Sequence, residues 1–504
     1  MKVTLISPLE DIQTYGLRVL SACLKKEGFE TQIIFIPGNH NEAYSEDLLN
    51  KIAAQSAGSG LVGLSLMTHV FERAVQITGK LRSLGMPVVW GGIHPTIAPE
   101  ECLKHTDIIC RGEAEATIVE LAKCIESGQG YDNIKGLWLN RGSEIIRNPV
   151  QGLIEDLNSI PAQDYDYETH YVLDGSDIRK MDARLMAKYS EGVYMTMATR
   201  DCPFVCTFCC NNAINKLLNK KGIRKRSVDD VIKELANVRD NLPFIKKIKL
   251  DDDAFFILPE REIKEFSQKY KEQIKIPLVI TGAAPSTVTR EKMAALVDAG
   301  LIAVRMGIQT GSEHTKQIYK RYHTNQQIGN AAKIFNEFKD KIEPPQYDVI
   351  LDNPFETEDD VIETLRFVSG LPPPFTLSLF SLAFYSATEL YELAEKEGML
   401  NNKAYTHRFH NLNKTYLNGL FYLINRYATI GLRIPKVVIS LLVNKKARRF
   451  KISNLAYQFL KLSVSPLRFG HYATVGLKDI SIGDFSRIKR KVMTSLGAQA
   501  SRTV

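Results

Sequence analysis

The run VYMTMATRDCPFVCTFC, residues 193–209, decides how this chain is read. Its first part, Val193–Thr199, reads as a strand. The rest is a loop that places Cys202, Cys206 and Cys209 at the spacing C-x3-C-x2-C. Such a loop can wrap three thiolates around one corner of a cubane, and thiolates are the usual ligands of iron–sulfur clusters. Three ligands for four irons leave one iron open, and an open site is where a small molecule can bind and react. A structural zinc site asks for four protein ligands. Cys210 is available as a fourth, but adjacent cysteines rarely chelate one metal in good geometry. A dithiol redox pair would leave the third cysteine without a role. An iron–sulfur cluster is therefore the expectation for this loop.

Outward from this loop, strands are expected at 193–199, 246–251, 277–282, 302–308, 345–351 and 375–384, with helices between them such as 228–240 and 358–369. Six strand–helix units over 191–400 predict a partial (β/α)6 barrel of the TIM type. Toward the N-terminus, Lys2–Ser7, Thr31–Ile36, Leu61–Ser65 and Pro87–Trp90 read as strands, and Gly16–Glu27 and Phe71–Leu84 as amphipathic helices. That alternation predicts an α/β, Rossmann-like domain over 1–145, which would bind its ligand at the carboxyl ends of its strands. No G-x-G-x-x-G follows the first strand, which argues against a dinucleotide. Gly91 and Gly92 with His94, and Gly112 with Glu113, stand instead just after strands. Glycine there would let a large flat ligand approach the backbone. Residues 146–190 are polar, with Pro149 and Pro161, and read as a linker.

Composition sets the outer bounds. The chain has 504 residues, 44% hydrophobic and 24% charged, which excludes disordered and collagen-like classes. Net charge is +8, unevenly spread: residues 401–504 hold 19 Lys and Arg against 2 Asp and Glu, leaving 46 and 55 in the rest. The opening residues are too short an apolar run for a signal peptide, and no stretch approaches the length of a spanning helix. A cytoplasmic location, with reduced cysteines, is the expectation. Cys23, Cys102, Cys110 and Cys124 are scattered in apolar contexts and read as ordinary buried thiols.

Several of these segments together resemble the radical S-adenosylmethionine (SAM) superfamily. The three-cysteine loop follows the first barrel strand, and Phe208 fills the aromatic position before the last cysteine. The run IKLDDDAF, 248–255, resembles the Asp-Asp-x-Phe segment of the cobalamin-type branch, with Asp252 and Asp253 as the pair. The run RMGIQTGS, 305–312, resembles a strand end that approaches SAM, with Gln309 where Glu is usual. Arg321 stands where the family places a basic residue near the SAM carboxylate. The run DNPFET, 352–357, resembles a strand-to-helix turn of the family, with Phe355 in place of Gly. WGGIHP, 90–95, and RGEAE, 111–115, resemble segments of the cobalamin-binding domain fused to many such enzymes.

The resemblance implies a [4Fe–4S] cluster on Cys202, Cys206 and Cys209, SAM on its open iron, and cobalamin in the N-terminal domain, contacted by Gly91, Gly92, His94, Gly112 and Glu113. It implies SAM contacts from Phe208, Asp252, Asp253, Gln309 and Arg321. It also implies reductive SAM cleavage to a 5′-deoxyadenosyl radical and, in most such enzymes, methyl transfer from methylcobalamin to an unactivated carbon. The electron would come from a donor such as flavodoxin or ferredoxin. Cyclisation or rearrangement, methylthiolation, and a non-enzymatic cobalamin sensor or anchor are the alternatives. Methylthiotransferases expect a second three-cysteine set, which is absent, and a sensor leaves the cysteine loop unexplained. The string Asp-x-His-x-x-Gly, which supplies a histidine to cobalt, is also absent; His94 is read as a backbone-positioning residue and the cobalamin as base-off. No residue is assigned to the catalytic chemistry itself, and the substrate is read only as a small or lipid-like molecule.

Residues 401–504 form the basic, mostly helical C-terminal domain of this reading. Apolar residues from Tyr416 to Val443 are closed by Lys445, Lys446, Arg448 and Arg449. Such a stretch can cap the barrel mouth with a solvated basic face, lie on the inner face of an anionic membrane, or bind nucleic acid. The three stand in that order, nucleic acid last.

Overall fold

The computed structural model describes residues 1–401 and 412–444. These fall into two compact units: 1–307, 316–343 and 382–401 in the first, and 308–315, 344–381 and 412–444 in the second.

The first unit opens with nine strands: β1 (Lys2–Ser7), β2 (Glu30–Phe35), β3 (Leu61–Ser65), β4 (Val88–Gly91), β5 (Ile108–Cys110), β6 (Leu137–Asn140), β7 (Ile145–Arg147), β8 (Tyr171–Asp174) and β9 (Asp177–Lys180). They form one sheet in the order β7-β6-β5-β4-β3-β1-β2-β8-β9. The pairs from β5 through β8 are parallel, and β6, β7 and β9 add antiparallel edges. Val3, Leu5 and Ile6 of β1 are all buried, because helices cover both faces of a parallel sheet. The chain leaves β1 for β2 on one side and returns to β3 on the other. Open α/β sheets bind ligands at such a switch, outside the strands' carboxyl ends.

The expected linker is not one: part of 146–190 belongs to this sheet. Leu173-Asp174-Gly175-Ser176-Asp177-Ile178 turns β8 back into β9, with Asp174 opposite Asp177 and Gly175 at φ +69°. A two-residue hairpin needs positive φ at its first central position, which glycine gives without strain. Asp164 is also fixed, accepting from Ser21 Oγ at 2.5 Å and from Lys25 Nζ at 3.1 Å. Asp164 and His170, both buried, are partners of the first sheet and not parts of a solvated tether.

A second run of strands follows: β10 (Val193–Thr196), β11 (Thr199–Arg200), β12 (Arg224–Lys225), β13 (Lys247–Leu250), β14 (Leu278–Ala283), β15 (Leu301–Gln309), β16 (Gln346–Leu351) and β17 (Thr376–Ser381). In the first unit β10, β13, β14 and β15 are neighbours in that order, and their pairs are parallel. Along β13, Ile248 and Leu250 are buried while Lys247 and Lys249 are half-exposed, the alternation of a strand with one apolar face. Helix Val228–Asn241 begins where Ser227 Oγ accepts the Asp230 N–H at 3.2 Å. A cap of this kind is worth about 1 kcal/mol. The six strands and intervening helices fall where the sequence places them.

In the second unit β16 and β17 pair in parallel. Helix Tyr416–Thr429 packs here: Leu420, Phe421, Ile424 and Ala428 are buried, and Asn425 Oδ1 accepts the Leu377 N–H at 2.7 Å. So this part of the expected C-terminal domain is built into the same unit as the last two strands. Lys445, Lys446, Arg448 and Arg449 lie outside the described residues. No helix of the described residues is long and apolar enough to cross a membrane.

Candidate functional site

The cysteine loop is tied down along its length. Asp201 turns the chain at φ +75°. Asn215 Nδ2 donates to Cys202 O at 2.7 Å, and Thr207 N and Oγ1 donate to the carbonyls of Tyr319 and Ile318 at 3.0 and 2.8 Å. The Cys209 N–H donates to Cys206 O at 3.1 Å, which folds the C-x2-C segment into a turn. Phe208 lies edge-on to Tyr319, with ring centroids 4.9 Å apart. Burial pushes the Cys202 thiol up to about 12 and raises that of Cys206. Binding a metal to such thiols therefore releases protons. Cys210 begins helix Cys210–Leu217, where its thiol neighbours that of Cys209.

The acidic turn after β13 separates its two expected ligands. Asp252 is buried and points back into the protein, accepting from Ala198 N at 3.0 Å, Thr199 N at 2.5 Å and Thr199 Oγ1 at 2.6 Å. Full burial raises its carboxyl to about 7 against the pull of those donors. Asp252 thus holds the backbone entering the cysteine loop and is not placed to touch a ligand, a correction to the expected pair. Asp253 is exposed and faces the loop, with Cys202 and Cys209 in its field and Asn211 beside it. Gly282, at the end of β14, makes this turn possible. It sits at φ +75°, and a Cβ there would lie 1.9 Å from Asp252 O.

Arg321 is buried beside the loop. Nη1 lies 3.6 Å from Cys206 Sγ, and Nη2 donates to Gly307 O at 2.6 Å. The guanidinium would therefore stand as a cation against the Cys206 thiolate were this thiol to ligate a metal, a charge-assisted contact of the stronger kind. His323 is buried next to it, edge-on to Phe204 of the loop at 4.9 Å. Burial, then Arg321 and Lys316, lowers its imidazole from 6.5 to about 4. The unfolded chain takes up this proton first, so the stability is present above pH 6.5 and is lost as pH falls toward 4. Urea unfolding at pH 6.5 and 4.5 should show a loss of about 2 kcal/mol from this group, and His323→Phe should flatten that dependence.

On the first sheet, the expected cobalamin residues divide. Gly92 has φ +99°, and a Cβ there would meet Leu66 O at 2.8 Å. The close approach that requires glycine is thus to the protein's own β3 end. Gly91 has ordinary clearance, with Cys110 O at 3.8 Å from a Cβ. His94 is buried in helix Ile93–Ile97, with Nδ1 3.2 Å from Thr68 Oγ1 and its ring 5.0 Å from Phe71. Its ring is thus packed within the protein. At the switch point, Glu10 after β1 accepts from His69 Nε2 at 3.1 Å and from His40 Nδ1 at 2.6 Å. Although burial opposes it, these contacts hold the Glu10 carboxyl down at about 2.

Gly112 and Glu113 follow β5. Glu113 faces Arg200 and Arg224, with Oε1 3.0 and 2.7 Å from their guanidinium nitrogens. It is an ion-pair partner of the cysteine loop's neck, so the expectation of a cobalamin contact from this side chain is corrected. Cys102 and Cys110 are buried, and burial raises both thiols, Cys110 to about 12.

In the second unit, Gln309 ends β15 at φ +69°. Gly311 lies so close to Phe367 and Thr364 that a Cβ would sit 2.8 Å from Phe367 Cβ. The DNPFET run forms the expected strand-to-helix turn: Asn353 Oδ1 accepts Phe355 N at 3.0 Å, and Thr357 caps helix Glu358–Ser369.

Among the described residues, no three His, Cys, Asp or Glu side chains are gathered as around a single ion. A cubane asks something different: three thiolates bind three irons, so the ligands stand around the cluster. Cys202, Cys206 and Cys209 on one anchored loop, with a buried arginine at Cys206, suit that group.

Comparison with known proteins matches this architecture segment by segment. Residues 1–122 match the family model described as B12 binding domain, and 196–368 match Radical SAM superfamily. An uncharacterised methyltransferase of Pyrococcus horikoshii is 28% identical over 68% of this chain and 70% of its own. The bacteriochlorophyllide d C-8(2)-methyltransferase of Chlorobaculum tepidum is 22% identical over 72% and 74%. Among solved structures, the radical SAM methyltransferase TsrM of Kitasatospora setae superposes with a TM-score of 0.62 at 20% identity, covering 78% of this chain and 76% of its own. The cobalamin-dependent radical enzyme OxsB gives 0.64 at 16% identity, covering 98% and 84%. The chain belongs to the radical SAM enzymes that carry a cobalamin-binding domain.

Proposed function

We propose that this enzyme transfers a methyl group to an unactivated carbon of a small molecule. One observation carries the reading: a single compact unit holds the B12-binding sheet and the anchored three-cysteine loop, with Arg321 against Cys206. When bound, the cluster supplies the electron that cleaves SAM, and cobalamin supplies the methyl group. Cys202, Cys206 and Cys209 hold the cluster, and Arg321 neutralises part of its charge. Asp253, facing the loop, and Phe208 are the candidates for holding SAM. Gly91, Gly92 and Gly112 shape the cobalamin-side backbone. A low-potential donor of the flavodoxin or ferredoxin type completes the system. The location is cytoplasmic.

Anaerobic reconstitution with iron, sulfide and cobalamin tests this reading. The expected result is about one corrinoid per chain, by analogy with one ligand per Rossmann-like domain. SAM should be cleaved to 5′-deoxyadenosine under a strong reductant. Corrinoid binding without any SAM cleavage would favour a sensor. Electron paramagnetic resonance of the reduced corrinoid should show no nitrogen splitting, since His94 is packed inside and His69 is held by Glu10. Nitrogen splitting would overturn the base-off assignment.

A membrane contact is the second reading, favoured by helix Lys436–Leu442, which exposes Val437, Val438 and Leu441 near Leu432. Each basic group near an anionic bilayer is worth about 1 kcal/mol. The protein should sediment with anionic liposomes at low salt and be released at high salt. Reversing Lys445, Lys446, Arg448 and Arg449 to Glu should weaken that binding. Equal binding to neutral liposomes would defeat the electrostatic version.

A further inference from the structure

The loop that carries the three cysteines is closed at its base by β11 and β12, which pair antiparallel with Arg200 opposite Arg224. These two arginines form the neck of the excursion, and both reach to the first domain. Arg200 Nη1 donates to Glu113 Oε1 at 3.0 Å and its Nη2 to Glu115 Oε1 at 2.6 Å. Arg224 Nη2 and Nη1 donate to the two oxygens of Glu113 at 2.7 and 2.9 Å, and its Nε donates to Asp201 Oδ2 at 2.7 Å. The Ile154 N–H donates to Glu113 Oε2 at 3.0 Å, so both carboxylate oxygens are shared. All five side chains are at most 16% exposed.

Two features make this more than packing. A buried charge left without its partner is costly, so this arrangement strongly prefers one geometry at the neck. Glu113 also lies in the turn directly after β5, at the carboxyl edge of the B12-binding sheet, and Glu115 opens the helix Glu115–Ser127 that follows, while Arg200 stands two residues before Cys202. Gly112, in the same turn, packs within 3.3 Å of Leu218 of the excursion when given a Cβ.

Resting on the cluster assignment above, we propose that Glu113 and Glu115 are positioning residues for the iron–sulfur loop. They clamp Arg200 and Arg224, and so set from the cobalamin-binding domain how firmly the three cysteines hold a cluster and at what potential it is reduced. The Gly-Glu-x-Glu run, which sequence alone assigns to cobalamin, would thus act on the cluster. The sign of the potential effect follows from charge. Reduction adds a negative charge to the cluster, so removing a nearby carboxylate charge makes reduction easier.

The test uses the full chain reconstituted with iron and sulfide, with and without cobalamin. Glu113→Gln keeps the shape and removes one charge. Outer partners of metal ligands are typically worth about 10–100-fold in metal affinity, so iron retention against a chelator should fall roughly tenfold or more. The cluster's midpoint potential, titrated by electron paramagnetic resonance, should move upward. Corrinoid retained after desalting should stay as in the wild type, which a general loss of structure would not allow. Arg200→Lys serves as the second variant: it keeps the charge but cannot reach both Glu113 and Glu115, so iron retention should fall with a smaller change in potential. Glu120→Gln, an exposed carboxylate on the same domain, should change neither. Variants that hold full iron at an unchanged potential would overturn the proposal, and so would loss of corrinoid in parallel with iron. A wild-type chain that never takes up iron would instead overturn the cluster assignment itself.

Discussion

Replacing Cys202, Cys206 or Cys209 by Ala should abolish the cluster's visible absorbance and reduce SAM cleavage below detection. Each supplies one of only three thiolates, and the loop offers no spare of equivalent placement. Cys210 is the internal control. It begins a helix beside Cys209, and its replacement by Ala should leave cluster and cleavage in place. Iron and sulfide analysis of the four reconstituted variants reads this directly. A Cys210 variant that loses the cluster while one of the other three keeps it would reassign the ligands. Arg321→Met belongs to the same series: the thiolate of Cys206 would lose the buried cation at 3.6 Å, so the cluster should be held less tightly but not lost.

Gly282→Ala should be nearly as damaging without touching a ligand. The new methyl would lie 1.9 Å from Asp252 O, a backbone atom in a turn that cannot move without dragging Asp252 with it. Asp252 in turn holds Ala198 N, Thr199 N and Thr199 Oγ1 at the entrance to the cysteine loop. The strain of overpacking is typically about 1–3 kcal/mol, more where backbone is hit, and positive φ adds to it. We expect a loss of about 3 kcal/mol or more in urea unfolding, together with poor cluster loading. Asp252→Ala should reproduce the loading defect by another route. It leaves three buried donors without an acceptor, at about 1–3 kcal/mol for each such group. A Gly282→Ala protein with wild-type stability and iron content would show that the turn can open, and would remove Asp252 from its assigned role.

The strand–helix alternation was legible because it rests on local periodicity. Buried parallel strands such as Val3–Ile6 are continuous apolar runs, and a capped helix such as Glu358–Ser369 announces itself with Thr357 and three acidic residues. The Leu173–Ile178 hairpin was equally legible in principle, through Gly175-Ser176, but its polar surroundings read as a linker. Its neighbours Asp164 and His170 are polar because they are buried in a network, and composition alone does not distinguish that from solvation.

What the amino-acid order determined by itself was the kind of chemistry. Three cysteines at a fixed spacing sit on one loop, so their proximity is a property of short chain distance and needs no tertiary contact. The same holds for the six strand–helix units. What only the tertiary structure decided was the direction in which each charged side chain is used. Asp252 and Asp253 are adjacent in sequence, yet one is buried against the loop's backbone and the other faces its thiols. Glu113 and Arg200 are 87 residues apart, and nothing local to either shows that they meet. Gly92 and Gly282 are glycines because another strand end passes within contact distance of them. Pairings of this kind form only when distant segments are brought together, and their energy lies in desolvation and close approach rather than in the pattern of the chain.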